Sequence, residues 1–174
     1  MSDLERYVLD ANSFIRSKRE HYAFDFCPGF WDALLKGYGQ GRVISIDRVR
    51  KELLKGKDAL ADWVKDEVPD EFFESEEIDD VQKILSEVLQ WVEDSEQYNR
   101  PAKQRFASGA DPWLIAFARA RRLTLVTYEV SAPESKALIK LPDVARAFSV
   151  TAIPPYVMLR RLEIVLALSR RSSK

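Results

Sequence analysis

The feature that most limits what this chain can fold into is an apolar run that stops on a carboxylate. Tyr7-Val-Leu9 ends at Asp10, and Asn12, Ser13, Phe14 and Ile15 follow at once. Such a run reads as a buried strand that delivers an acid at its C-terminal end. The pattern recurs along the chain. Val43-Ile-Ser-Ile46 is a second strand, with Asp47 behind it as a helix N-cap. Leu123-Thr-Leu-Val-Thr-Tyr-Glu129 is a third, and it too ends on an acid. Val150–Ile153 is a short fourth.

Helical patterns separate these strands. Pro28 opens a helix whose buried side is Phe30, Trp31, Leu34, Leu35 and Tyr38; Gly37, Gly39 and Gly41 weaken and end it. Val49, Leu53 and Leu54 form the apolar side of the helix after Asp47, and a further short helix is predicted from Asp58 to about Glu67. Ile78, Val81, Leu85, Val88 and Val92 recur at spacings of 3, 4, 3 and 4, the period of a long amphipathic helix. A short basic helix and turn covers 101–109, and Asp111 starts the next helix with Pro112 at its favoured first position. Pro142–Phe148 and Pro155 to about Arg170 are the last helices; 16–27 and 130–140 read as loops. Strands alternating with helices predict an α/β fold, a three-layer α/β/α sandwich on a mostly parallel sheet, in one domain over residues 1–174. In such folds the functional crevice lies beyond the carboxyl ends of the strands.

Composition narrows the function. No apolar run is long enough to span a bilayer, and the first residues lack the basic and apolar parts of a signal peptide. The lone Cys27 makes no internal disulfide, so a reducing, cytoplasmic setting is expected. The net charge of −1 conceals an asymmetry. Residues 66–99, an acidic helical arm, hold 13 Asp and Glu against Lys83 alone, while the remainder holds 26 Lys and Arg against 15 acids. A basic body of this kind attracts polyanions. No glycine-rich nucleotide loop follows the first strand and no Walker loop occurs. His21 is the only histidine, which disfavours a Ser-His-Asp hydrolase and leaves Ser13 without a base. With no His or Cys cluster a zinc site is disfavoured as well.

Carboxylates are what remain. Asp10 and Glu129 end strands, Glu52 lies in the helix after the second strand, and Asp111 heads the helix leading into the third. All four are expected at one edge; Glu134 and Asp143 lie near Glu129 as substitutes. Grouped carboxylates repel one another unless a cation sits among them. Oxygen donors of this type suit Mg²⁺ or Mn²⁺, which activate water against a phosphodiester. Taken singly, Asp111 before Pro112 equally reads as an N-cap, and Glu52 as a solvated helix charge.

Four segments together resemble the acidic motifs of PIN-domain ribonucleases: Leu9-Asp-Ala-Asn-Ser-Phe-Ile15, Val49-Arg-Lys-Glu-Leu-Leu54, Gly109-Ala-Asp-Pro-Trp-Leu-Ile-Ala-Phe-Ala118 and Leu125-Val-Thr-Tyr-Glu129. The likeness covers about residues 5–160. It is nearest to the branch related to VapC toxins, within a subgroup that keeps Glu at the fourth position and follows it with a segment such as Leu141-Pro-Asp-Val144. The resemblance implies that Asp10, Glu52, Asp111 and Glu129 bind Mg²⁺ or Mn²⁺, that Asn12 orients Asp10 or a metal-bound water, and that Thr127 hydrogen-bonds within the site. It further implies an endoribonuclease, the toxin of a type II toxin–antitoxin module, held in check by a small cognate antitoxin. A structure-specific DNA nuclease, or a silent module that binds nucleic acid or protein, is the alternative. An aspartyl-phosphate phosphatase ranks below these, because Asn12 stands where it would need a second Asp. Arg16, Lys18, Arg19 and Tyr22, Arg48, Arg50, Lys51 and Lys55, and Lys103 and Arg105 are the candidate RNA contacts. A homodimer is expected to use the helix at 76–96.

Overall fold

A computed structural model describes residues 4–168 of the chain. Its centre is a five-stranded, all-parallel sheet in the order β3-β2-β1-β4-β5. The strands are β1 (Tyr7–Leu9), β2 (Val43–Ile46), β3 (Phe73–Glu74), β4 (Thr124–Val126) and β5 (Ala152–Ile153). Every residue of β1, β2 and β4 is buried. That pattern belongs to strands covered on both faces by helices, and the fold is the expected three-layer α/β/α sandwich. Strand β1 lies in the middle, pairing with β2 on one side and β4 on the other, Tyr7 against both Val43 and Thr124.

The helices are α1 (Ala11–Arg16), α2 (Pro28–Gly39), α3 (Asp47–Lys55), α4 (Ala59–Asp66), α5 (Asp79–Asp94), α6 (Arg100–Ser108), α7 (Asp111–Arg121), α8 (Leu141–Ala147) and α9 (Pro155–Arg161). Most follow the apolar periods of the sequence. The stripe of α5 is core: Val81, Leu85, Val88 and Val92 are buried, and the helix packs chiefly on α7. That stripe is consumed within the chain.

Four local expectations change. The segment 16–27 is not a plain loop. Helix α1 precedes it, a π-helical turn (Ser17–His21) continues it, and aromatic stacking holds the rest: Tyr22 on Phe30 at 4.4 Å and Phe24 on Trp31 at 4.2 Å between ring centroids. Helix α2 runs through Gly37, which is there for packing: a Cβ would stand 2.6 Å from Val43 Cγ2. Strand β4 is shorter than expected, ending at Val126, although the Thr127 N–H still donates to the Ile153 carbonyl of β5. Helix α9 ends at Arg161, and the Ser169–Arg170 end of the predicted helix lies outside the described residues. Among the described residues no helix is long and apolar enough to cross a membrane.

Candidate active site

Asp10 is the first residue past β1 and the N-cap of α1. Its Oδ1 accepts from the Ser13 backbone N–H and lies 2.7 Å from the Ser13 hydroxyl, which also reaches the Val126 carbonyl at 2.8 Å. Its Oδ2 accepts from the Thr127 hydroxyl at 2.5 Å. Thr127 in turn accepts from the Glu129 backbone N–H at 3.0 Å. These bonds join the ends of β1 and β4. There the strand order reverses, since β2 and β3 lie to one side of β1 and β4 and β5 to the other. Crevices at such reversals, beyond the carboxyl ends of parallel strands, are where open α/β sheets bind ligands.

Ser13 and Thr127 orient Asp10, and the part left to Asn12 is the one toward a metal-bound water. The capping geometry explains why: an N-cap side chain accepts from the third helical residue, and that residue is Ser13. The spacing Asp10-x-x-Ser13 carried this signal in the sequence. Thr127 hydrogen-bonds within the site, to Asp10.

Asp111 is the first residue of α7 and does not cap it; Ala110 holds that position, with no capping side chain. Burial pushes the Asp111 carboxyl up to about 7, and the negative charges of Glu129, Asp10 and Glu52 push in the same direction, against the opposing charge of Lys140. Burial likewise raises Asp10 to about 6; hydrogen bonds from Thr127 and Ser13 oppose it and Glu129 adds to it. Acids from four separate segments thus share one electrostatic neighbourhood. Asp111 and Glu129 also line a common cavity of about 150 Å³, flanked by Arg105 and Lys140.

Glu129 is tethered. Its Oε2 accepts from the Leu141 N–H at 2.8 Å, and its Oε1 lies 4.0 Å from Lys140 Nζ. Asp143, two residues on, takes the Ser131 hydroxyl and the Ala132 N–H, so it holds the loop rather than substituting for Glu129. The Leu141-Pro-Asp-Val144 segment is the clasp that fixes the fourth acid. Lys140 was not legible beforehand, because nothing in the loop 130–140 marks it. Glu52 is solvent-exposed on α3 and enters the group through its field on Asp111.

A fifth acid at this edge is already neutralised. Glu76, just past β3, is buried, with Oε1 2.9 Å from Arg48 Nε. The Arg48 guanidinium lies over the Trp113 ring at 4.2 Å, so the stack bridges α3 and α7. Other candidate cations are also engaged: Arg16 with Glu20, Lys18 with Asp58, Arg50 with Asp70 and Lys51 with Asp47.

The donor set, all carboxylate oxygen, fits a hard divalent cation in chemistry. Its charge is also under-compensated, as Asp111 shows. Among the described residues, however, no three His, Cys, Asp or Glu side chains are gathered tightly enough to hold a metal ion as they stand. The acids form an open set.

Residues 7–166 match the family model described as a domain of unknown function, DUF4411. The chain belongs to that family. No curated protein and no solved structure matches it. The family match spans β1 to the segment after α9, so Asp10, Glu52, Asp111 and Glu129 all lie within it.

Proposed function

We propose that this chain is a PIN-type endoribonuclease that hydrolyses RNA with a water activated on Mg²⁺ or Mn²⁺. The observation that carries the reading is the raised Asp111 carboxyl, which feels Glu129, Asp10 and Glu52 together at the point where the strand order reverses. A divalent ion would supply the positive charge these groups lack and the activated water. Asp10, Glu52 and Asp111 would hold it. Glu129, with one oxygen committed to Leu141, would hold it through the other or shape the field. The chain's own part is to keep Asp10 aimed through Ser13 and Thr127, and to keep Asp111 partly shielded from water so that its charge acts at short range. Arg105 and Lys140, beside Asp111, suit the phosphate. By the same resemblance the protein is read as a cytoplasmic toxin with a small cognate antitoxin.

The test is cleavage of single-stranded RNA in Mn²⁺. Asp10→Asn and Asp111→Asn should each lower it by about three orders of magnitude or more, the scale of losing a group the transition state depends on. Circular dichroism should report an unchanged fold. Full cleavage by either variant rejects the assignment. A module that binds without cutting is the second reading, and the exposure of Glu52 favours it. Calorimetric titration of Mn²⁺ separates the two: a strong signal lost in Asp10→Asn belongs to the nuclease, an equal weak signal in both to the silent module.

A further inference from the structure

Glu129 stands between two cavities. One is the small space it shares with Asp111. The other, about 600 Å³, opens on its far side, again at the carboxyl edge, where the segment after β4 and the β5–α9 connection diverge. That volume lies in the range of about 300–1,000 Å³ typical of small-molecule clefts. We propose that this second cavity receives an unpaired nucleobase of the RNA strand, seated beside the phosphate held at the acids.

The lining is built for a flat, aromatic, polar-edged guest. Tyr128 and His21 stack at 4.8 Å with 28° between their planes, and Arg16 lies over the same tyrosine at 5.1 Å. Tyr128 is fixed through its hydroxyl to Ser17 at 2.9 Å, and its carbonyl accepts from Arg16. These bonds set the ring before any ligand arrives. Tyr156, the second residue of α9, leaves half of its surface exposed, and Arg160 lies over its ring at 5.6 Å. Arg146 and the Ser131 hydroxyl lie at the cavity's edge, bonded to each other and both to Asp143, and give it a polar, cationic rim. Aromatic faces with guanidinium groups are how proteins hold splayed single-stranded bases.

Position favours a base over an apolar side chain from a protein partner. Thr127 and Glu129 line the cavity, so its floor is the wall of the acid site. Whatever fills it lies within one residue's reach of the carboxylates, as successive parts of one nucleic-acid strand do. A base paired in a duplex presents no free face, so the cavity selects single strands.

This inference rests on the ribonuclease reading, and one experiment distinguishes their failures. A short fluorescein-labelled single-stranded RNA and its duplex are bound to the full chain in EDTA and followed by anisotropy; cleavage of the single strand is then measured in Mn²⁺. Tyr156→Ala should weaken single-strand binding about tenfold, the scale of one lost base–aromatic stack. It should raise KM and leave kcat and duplex binding unchanged, and Tyr156→Phe should behave as the parent. If the parent cleaves RNA and Tyr156→Ala binds and cleaves as the parent does, the base site is wrong and the nuclease stands; the cavity then belongs to a partner's side chain. A parent that neither binds nor cleaves RNA overturns both.

Discussion

At Asp111, burial and neighbouring carboxylates act in the same direction, and the consequence reaches folding as well as chemistry. The native state holds this proton more tightly than the unfolded chain does, with a carboxyl near 7 against an ordinary value of 3.8. Stability is therefore lost as pH rises from about 4 through about 7, where the native group ionises against its surroundings. Asp111→Asn removes that cost. The variant and the parent should unfold alike at about pH 3, below the ordinary carboxyl value, and at pH 7.5 the variant should be the more stable by about 1–3 kcal/mol, allowing for relaxation around the charge. Urea unfolding without divalent ions measures this; a variant less stable at pH 7.5 would show that Asp111 is structurally compensated. Adding Mn²⁺ should raise the melting temperature of the parent and not of the variant, since only the parent keeps the carboxylate an ion would bind.

Helices and strands differ in how openly the sequence announced them. Helix α2 shows why. Its glycines look alike in the sequence, yet they do different work. A Cβ at Gly37 would press on Val43 Cγ2, whereas nothing lies within 4 Å of a Cβ at Gly39. Gly37→Ala should destabilise the fold by about 1–3 kcal/mol, the usual cost of overpacking. Gly39→Ala should be neutral or stabilise by up to about 1 kcal/mol, by helix propensity. Denaturant midpoints of the two variants check this. The strands β1 and β2 were legible as continuous apolar runs, helix α5 by its 3–4 apolar period, and helix α7 by Pro112 at its start. Strand β3 was not: it has two residues, follows an acidic turn, and exists only because β2 offers an edge to Phe73 and Glu74. Helix α1 was hidden because its start doubles as the acid motif. Among the site residues, Asp10 and Asp111 could be placed because strand ends and helix starts fix them. The choice between Asn12 and Ser13 turned on cap geometry, and Glu76 and Lys140 are recognisable only once distant segments meet.

For the molecule as a whole, charge separation and topology matter together. The acidic arm is folded back, its apolar side spent on α7, the helix that carries Asp111. Its acids also reach across the surface: Glu93 pairs with Arg100, and Asp70 and Glu77 take Arg50 and Arg48. The Glu76–Arg48–Trp113 stack has a further consequence, one of timing. It joins residues far apart in the chain, at the edge strand and at the start of α7. Contacts that close long loops are favoured only after nearer ones have formed. The sheet and its local helices can thus assemble first, and α3 and α7 take their final spacing when this stack closes. Arg48→Met should lower stability by about 2–3 kcal/mol, since it strands the Glu76 carboxylate. In stopped-flow chevrons the loss should fall mainly on the unfolding rate, with folding little slowed. A contact that closes late would then be the one tying α3, which carries Glu52, to α7, which carries Asp111.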